Sequence, residues 1–86
     1  MREAVDDPIE VGVQFSQRGC RPVWMIWNGK RRMIQRVTYT WKAQDGLKWL
    51  RYFAVTDGEA LYELCFDPTA LRWRLTSVAL ETSGTP

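Results

Sequence analysis

Apolar and polar residues alternate along most of this chain with a period of two, the pattern of strands that bury one face. Residues 9–15 place Ile9, Val11, Val13 and Phe15 on one side and Glu10, Gly12 and Gln14 on the other. Residues 23–27 (VWMIW) form a second apolar run, and Asn28 and Gly29 separate it from a third at 30–42. Asn-Gly suits a type I′ hairpin turn, because both central residues of that turn need positive φ. In the third run Met33, Val37, Tyr39 and Trp41 alternate with Arg32, Arg36, Thr38, Thr40 and Lys42. Ile34 breaks that alternation, which predicts a bulge or sharp bend near Gln35. Thirteen residues is also long for one straight strand.

Asp45 and Gly46 mark a second hairpin turn before a strand over 47–56, and Asp57 and Gly58 a third before a strand over 60–66. Asp67 and Pro68 begin a type I turn. Leu71, Trp73 and Leu75 then alternate with Arg72, Arg74 and Thr76 in a strand running to Val78 or Leu80. Residues 16–22 (SQRGCRP) are expected as a loop, with Pro22 holding Arg21 extended. The breakers Asp6, Asp7 and Pro8 make residues 1–8 a flexible leader, and residues 81–86 a disordered tail. Between them lies a single β domain, residues 9–80. Breakers recur about every ten residues, and β-branched and aromatic residues fill the runs between, so helix fits nowhere. The expected fold is all-β: five or six antiparallel strands in a meander, curled into an SH3-like barrel that hides its edges. Its core should include Val37, Trp41 and Trp73.

At 86 residues the chain buries only roughly 60–65% of the surface its unfolded form exposes. Its eleven aromatic residues are therefore important to its core. The net charge is +2, but nine basic residues and one acid, Asp45, lie between Arg18 and Arg51. The acids collect in 3–10 and 57–67, so one surface should be positive.

Enzymatic chemistry finds little support. The chain has no histidine, so the commonest general base and zinc ligand is missing. Cys65 alternates with apolar neighbours like a packed residue. Cys20, in the loop beside Arg18 and Arg21, reads as a surface thiol. Glu59 and Glu63 sit at a strand start, where solvated side chains are expected rather than a glycosidase pair. The glycines are dispersed and do not form a phosphate-cradling loop. No cofactor or metal is expected. No apolar run reaches the length that spans a bilayer, the acidic start does not resemble a secretion signal, and two thiols suit a reducing compartment. The expected setting is cytoplasmic.

Two binding readings remain. Lys30, Arg31, Arg32 and Arg36 crowd the Asn28–Gly29 hairpin, and Arg32, Arg36 and Lys42 fall on one strand face. Trp24 and Trp27 lie on opposite parities, so one should be exposed and free to stack. Cations for phosphates beside aromatic planes for bases is how small β-barrels bind single strands. The candidate nucleic-acid-binding residues are thus Lys30, Arg31, Arg32, Arg36, Lys42 and Trp24, with Lys48, Arg72 and Arg74 able to join. The alternative is a protein-interaction module. It would use a groove lined by Trp24, Trp49 or Tyr52, or an edge strand.

The segments RPVWMIWNGKRR (21–32), Val37, Trp41, YFAV (52–55), LYEL (61–64), Asp67 and RWRL (72–75) with Val78 resemble, in this order, an uncharacterised bacterial family of small β domains. Similar segments also occur as a C-terminal appendage of Y-family DNA-polymerase-like proteins. The resemblance covers most of the chain. It implies a bacterial β domain with a DNA-repair or polymerase-like partner, and no catalytic residues to carry over.

Overall fold

Asn28 and Gly29 both adopt positive φ, 54° and 75°, as the type I′ reading requires. The computed structural model describes residues 2–80. These form seven antiparallel strands: β1 (Arg2–Ser16), β2 (Gly19–Trp27), β3 (Lys30–Met33), β4 (Arg36–Asp45), β5 (Lys48–Thr56), β6 (Ala60–Asp67) and β7 (Arg72–Leu80). They make one sheet in the order β3-β2-β1-β7-β6-β5-β4. Every neighbour follows its partner in sequence except β1 and β7, so the meander's two ends meet in the middle of the sheet.

The count is seven rather than five or six because the third predicted run is divided at Ile34 and Gln35. The Ile34 amide donates to the Val23 carbonyl (3.0 Å) and the next amide, Gln35, to the Thr56 carbonyl (2.7 Å). Two consecutive residues thus leave the β2 ladder and join the β5 ladder. Ile34 and Val37, out of phase in sequence, both pack against the core, and the bend is what permits it. β3 and β4 become the two edges of the sheet. No ladder joins them, so the sheet is curled but not closed.

Three local expectations change. Residues 2–8 are the first half of β1 and not a leader: Arg2 to Ala4 and Asp7 to Ile9 pair with β7 across a register shift. The supposed breakers have distant partners. Asp6 pairs with Arg74, and Asp7 accepts a 2.9 Å bond from the Trp27 indole. The expected loop at 16–22 is a two-residue turn, Gln17 and Arg18, closed by the pair Ser16 and Gly19. The second hairpin turns one residue later than expected, since Asp45 pairs with Lys48. Gly46 has φ 65° and takes the first central position, the type II′ arrangement. The tail expected at 81–86 lies outside the described residues.

The core consists of Met25, Phe53, Val55, Ala60, Tyr62, Leu64 and Leu75. Val37 and Trp73 pack against it as half-buried residues. Trp41 does not. A register shift between Val37 and Tyr39 reverses the faces that later β4 residues present. Trp41 therefore stacks between Tyr39 (5.5 Å) and Tyr52 (5.1 Å, planes 5° apart). Met33 and Tyr39, which share the sequence parity of Val37 and Trp41, are exposed.

Candidate nucleic-acid interface

The basic hairpin does not present its cations on one surface. Trp24 pairs with Gly12 on β1 and Met33 on β3, on the face turned away from Met25 and the core. A Cβ on Gly12 would lie 2.1 Å from the indole, so the ring crosses β1 where only glycine leaves room. The Arg31 guanidinium covers that ring, 4.6 Å from its centre. Trp24 is half-buried, and a base would have to stack on Arg31 or displace it. Trp27 is no freer. It is half-buried, bonded to Asp7 and edge-on to Tyr62 at 6.4 Å.

Arg32 points the other way. It pairs with the core residue Met25 and approaches Asp57 at 3.8 Å, with the rings of Trp27 and Tyr62 5.9 and 6.0 Å away. Its Nε is buried without a hydrogen-bond partner among the described residues. Arg36, beyond the bend, is exposed. The expected common face for Arg32 and Arg36 is therefore absent, because the bend at Ile34 and Gln35 lies between them. Lys30 is exposed beside the turn.

Asp57 organises this inner cluster. Its Oδ1 accepts the amides of Glu59 and Ala60, each at 2.9 Å, and its Oδ2 accepts the Tyr62 hydroxyl at 2.9 Å. Burial works to raise the Asp57 pKa. The two amides, the Tyr62 hydroxyl and the Arg32 charge outweigh burial and hold it below the usual carboxylate range. Burial, with the bond to Asp57, pushes the Tyr62 phenol up to about 12. These groups tie the β5–β6 turn to β3 and β2, a structural role.

The remaining predicted cation, Lys42, lies on the β4–β5 hairpin. There it faces Arg51 directly across the strands. Both are exposed, and neither makes an ion pair among the described residues. With Trp49 and Pro68 they line an open cleft of about 390 Å³. Trp49 is 53% exposed. Trp49, Arg51 and Phe53 alternate on one face of β5, and the Arg51 guanidinium sits 5.7 Å from the Phe53 ring. Phe53 leads on to Trp73 (5.4 Å) and Phe66 (4.8 Å from Trp73), an aromatic cluster that belongs to the core. The neighbouring carboxylate of Asp67 is taken by Lys48 (2.8 Å) and by the amides of Thr69 and Ala70. The hydrogen bond from Lys48, ahead of those amides, holds its pKa down.

The structure thus separates the predicted residues into Trp24 and Arg31 on the outer face, Arg32 inside, Lys30 exposed beside the turn on the parity of Arg32, and Arg36 and Lys42 along β4. Reading the residues missed Arg51 and gave Trp49 to a peptide groove. The signal lay in the hairpin register. A turn at Asp45 and Gly46 places Lys42 opposite Trp49, whereas the true turn at Gly46 and Leu47 places it opposite Arg51. A larger groove of about 540 Å³ runs past Trp24, Glu10, Leu71 and Arg72, but the Arg74 on its wall is paired with Asp6. Cys65 is buried and Cys20 half-buried, both as free thiols. Burial raises the Cys65 pKa, the opposite of an activated nucleophile. Among the described residues, no helix is long and apolar enough to cross a membrane.

No protein-family model matches the chain, and no curated protein or solved structure matches it.

Proposed function

We propose that this protein is a non-enzymatic β module that binds single-stranded nucleic acid, with the Lys42–Trp49–Arg51 cleft as its centre. One observation carries the reading: two unpaired cations stand directly opposite each other beside an exposed indole. Like charges directly opposite each other destabilise a sheet. A phosphate between them turns this cost into attraction, and Trp49 offers the adjacent base a stacking plane. Lys30, Arg31 and Arg36 add positive field outside the cleft, and Arg32 takes no part because Asp57 holds it. Small β-barrels that bind single strands likewise set cations for phosphates beside aromatic planes for bases. The resemblance carried by the segments from Arg21 to Val78 fits a bacterial, cytoplasmic task beside DNA repair, with a polymerase-like protein as neighbour.

The test is a fluorescence-anisotropy titration of a labelled single-stranded oligonucleotide at several salt concentrations. Each phosphate engaged contributes a slope of about −0.7 in log K against log salt. Replacing both Lys42 and Arg51 by alanine should flatten the slope by about one to one and a half. Trp49→Ala should weaken binding by about 1–3 kcal/mol and leave the slope unchanged. Absence of binding at low salt, or binding indifferent to the double substitution, refutes the proposal in favour of the protein-interaction reading.

A further inference from the structure

β1 changes partners halfway along. Up to Ile9 it pairs with β7, and from Glu10 to Ser16 it pairs with β2. The second half therefore has a bare backbone edge on the side away from β2. Val13 faces Pro22, which has no amide hydrogen, so this pair sits at a non-hydrogen-bonded position of the ladder. The N–H and C=O of Val13 accordingly point outward, and by strand alternation so do those of Val11 and Phe15.

Edges of this kind invite pairing with another chain unless charge or proline blocks it. Among the described residues, the other bare edges are interrupted by charge, proline or a bulge. β3 is Lys30, Arg31, Arg32 and Met33, and β4 carries Arg36, Lys42 and Asp45, with a bulge at Thr38 breaking its uncharged stretch 37–41. The first half of β1 carries Arg2, Glu3, Asp6, Asp7 and Pro8. The start of β2 has Arg21 and Pro22, and the start of β5 has Lys48. Residues 11–15, VGVQF, carry neither charge nor proline.

We infer that residues 11–15 are a homodimerisation edge, pairing antiparallel with the same residues of a second copy about a two-fold axis at Val13. The segment is complementary to itself. Centred there, Val13 meets Val13 and Val11 meets Phe15 of the second copy, so apolar residues oppose apolar ones on one face. On the other face Gln14 meets Gly12, whose missing side chain leaves room. Phe15 is 79% exposed in the isolated chain, an unusual place for phenylalanine, and the second copy covers it. The contact is isologous, so it closes at two copies and does not propagate. Its small area makes it reversible and dependent on concentration.

Sedimentation equilibrium of the full chain, from low micromolar to millimolar concentration, tests this. The mass should rise from 10.1 kDa towards twice that value. Phe15→Lys, at an exposed position, should hold the chain at monomer mass with an unchanged circular dichroism spectrum. Val13→Pro removes only an outward amide and should do the same. Amide exchange at Val11, Val13 and Phe15 should slow as concentration rises, while that of the β4 edge stays constant. A chain that remains monomeric throughout overturns the inference and leaves the edge to an extended peptide of another protein. A dimer that survives both substitutions overturns it as well.

Discussion

Asp57 shows how one side chain settles a question that charge counting leaves open. It takes Arg32 out of the basic hairpin and also accepts the Tyr62 hydroxyl. Two pH limits follow. The Tyr62 pKa is raised from 10.0 to about 12. Its contribution to stability is complete below pH 10 and is lost as pH rises through about 12. The Asp57 pKa is lowered from 3.8, so its contribution is present above that value and is lost as pH falls through the lowered one. Tyr62→Phe should cost about 1.5–3 kcal/mol at neutral pH, as a hydrogen bond to a charged group does. It should also shrink the tyrosine-linked decline above pH 10, leaving the part due to Tyr52, whose phenol burial also raises. Urea midpoints measured against pH check both, and an alkaline decline undiminished by the substitution assigns it to another group.

At the scale of elements, register decides which tryptophans matter for stability. Trp73 packs against Phe53 and Phe66 at the edge of the core, whereas Trp41 sits in an outer stack with two tyrosines. Trp73→Ala should cost roughly 3–5 kcal/mol, a large part of a small domain's stability. Trp41→Ala should cost nearer the roughly 0.5–1.5 kcal/mol typical of an aromatic pair, plus partial loss of buried area. Equal losses in melting temperature would show that the β4 register shift does not divide the two faces. The alternation in residues 36–45 is regular on paper, and nothing in it marks Thr38 as the place where the faces exchange. That exchange is enforced from outside β4, by the phase in which β5 presents Phe53 and Val55.

For the molecule as a whole, the first residues of β1 bring the two ends of the meander together. Deleting residues 1–8 removes most of the β1–β7 pairing and the Asp7–Trp27 bond. That exposes the β7 ladder and the core beneath it. The shortened chain should show no cooperative thermal transition by circular dichroism. A transition at the full-length temperature would instead restore the view of these residues as a dispensable leader. The overall dimensions, 43 × 29 × 25 Å, suit a curled sheet from which the β1–β2 and β4–β5 hairpins extend beyond their neighbours. The second of these carries the proposed cleft.

The all-β class, the Asn28–Gly29 hairpin, the turn at Asp67 and Pro68 and the break at Ile34 could be read directly from the residues. Each depends on local conditions: positive φ, a fixed proline ring, or an apolar residue out of phase. What the residues concealed depends on partners far away in sequence. Asp6, Asp7 and Pro8 look like breakers until Arg74 and Trp27 arrive to satisfy them. Arg32 looks like its basic neighbours until its place opposite Met25 turns it towards Asp57. Lys42 and Arg51 become a pair only once Gly46 sets the hairpin register. Backbone preference acts within a few residues and is written locally. Which face a side chain presents, and whether its charge is already answered, is decided when distant strands pair, and only the tertiary structure holds that information.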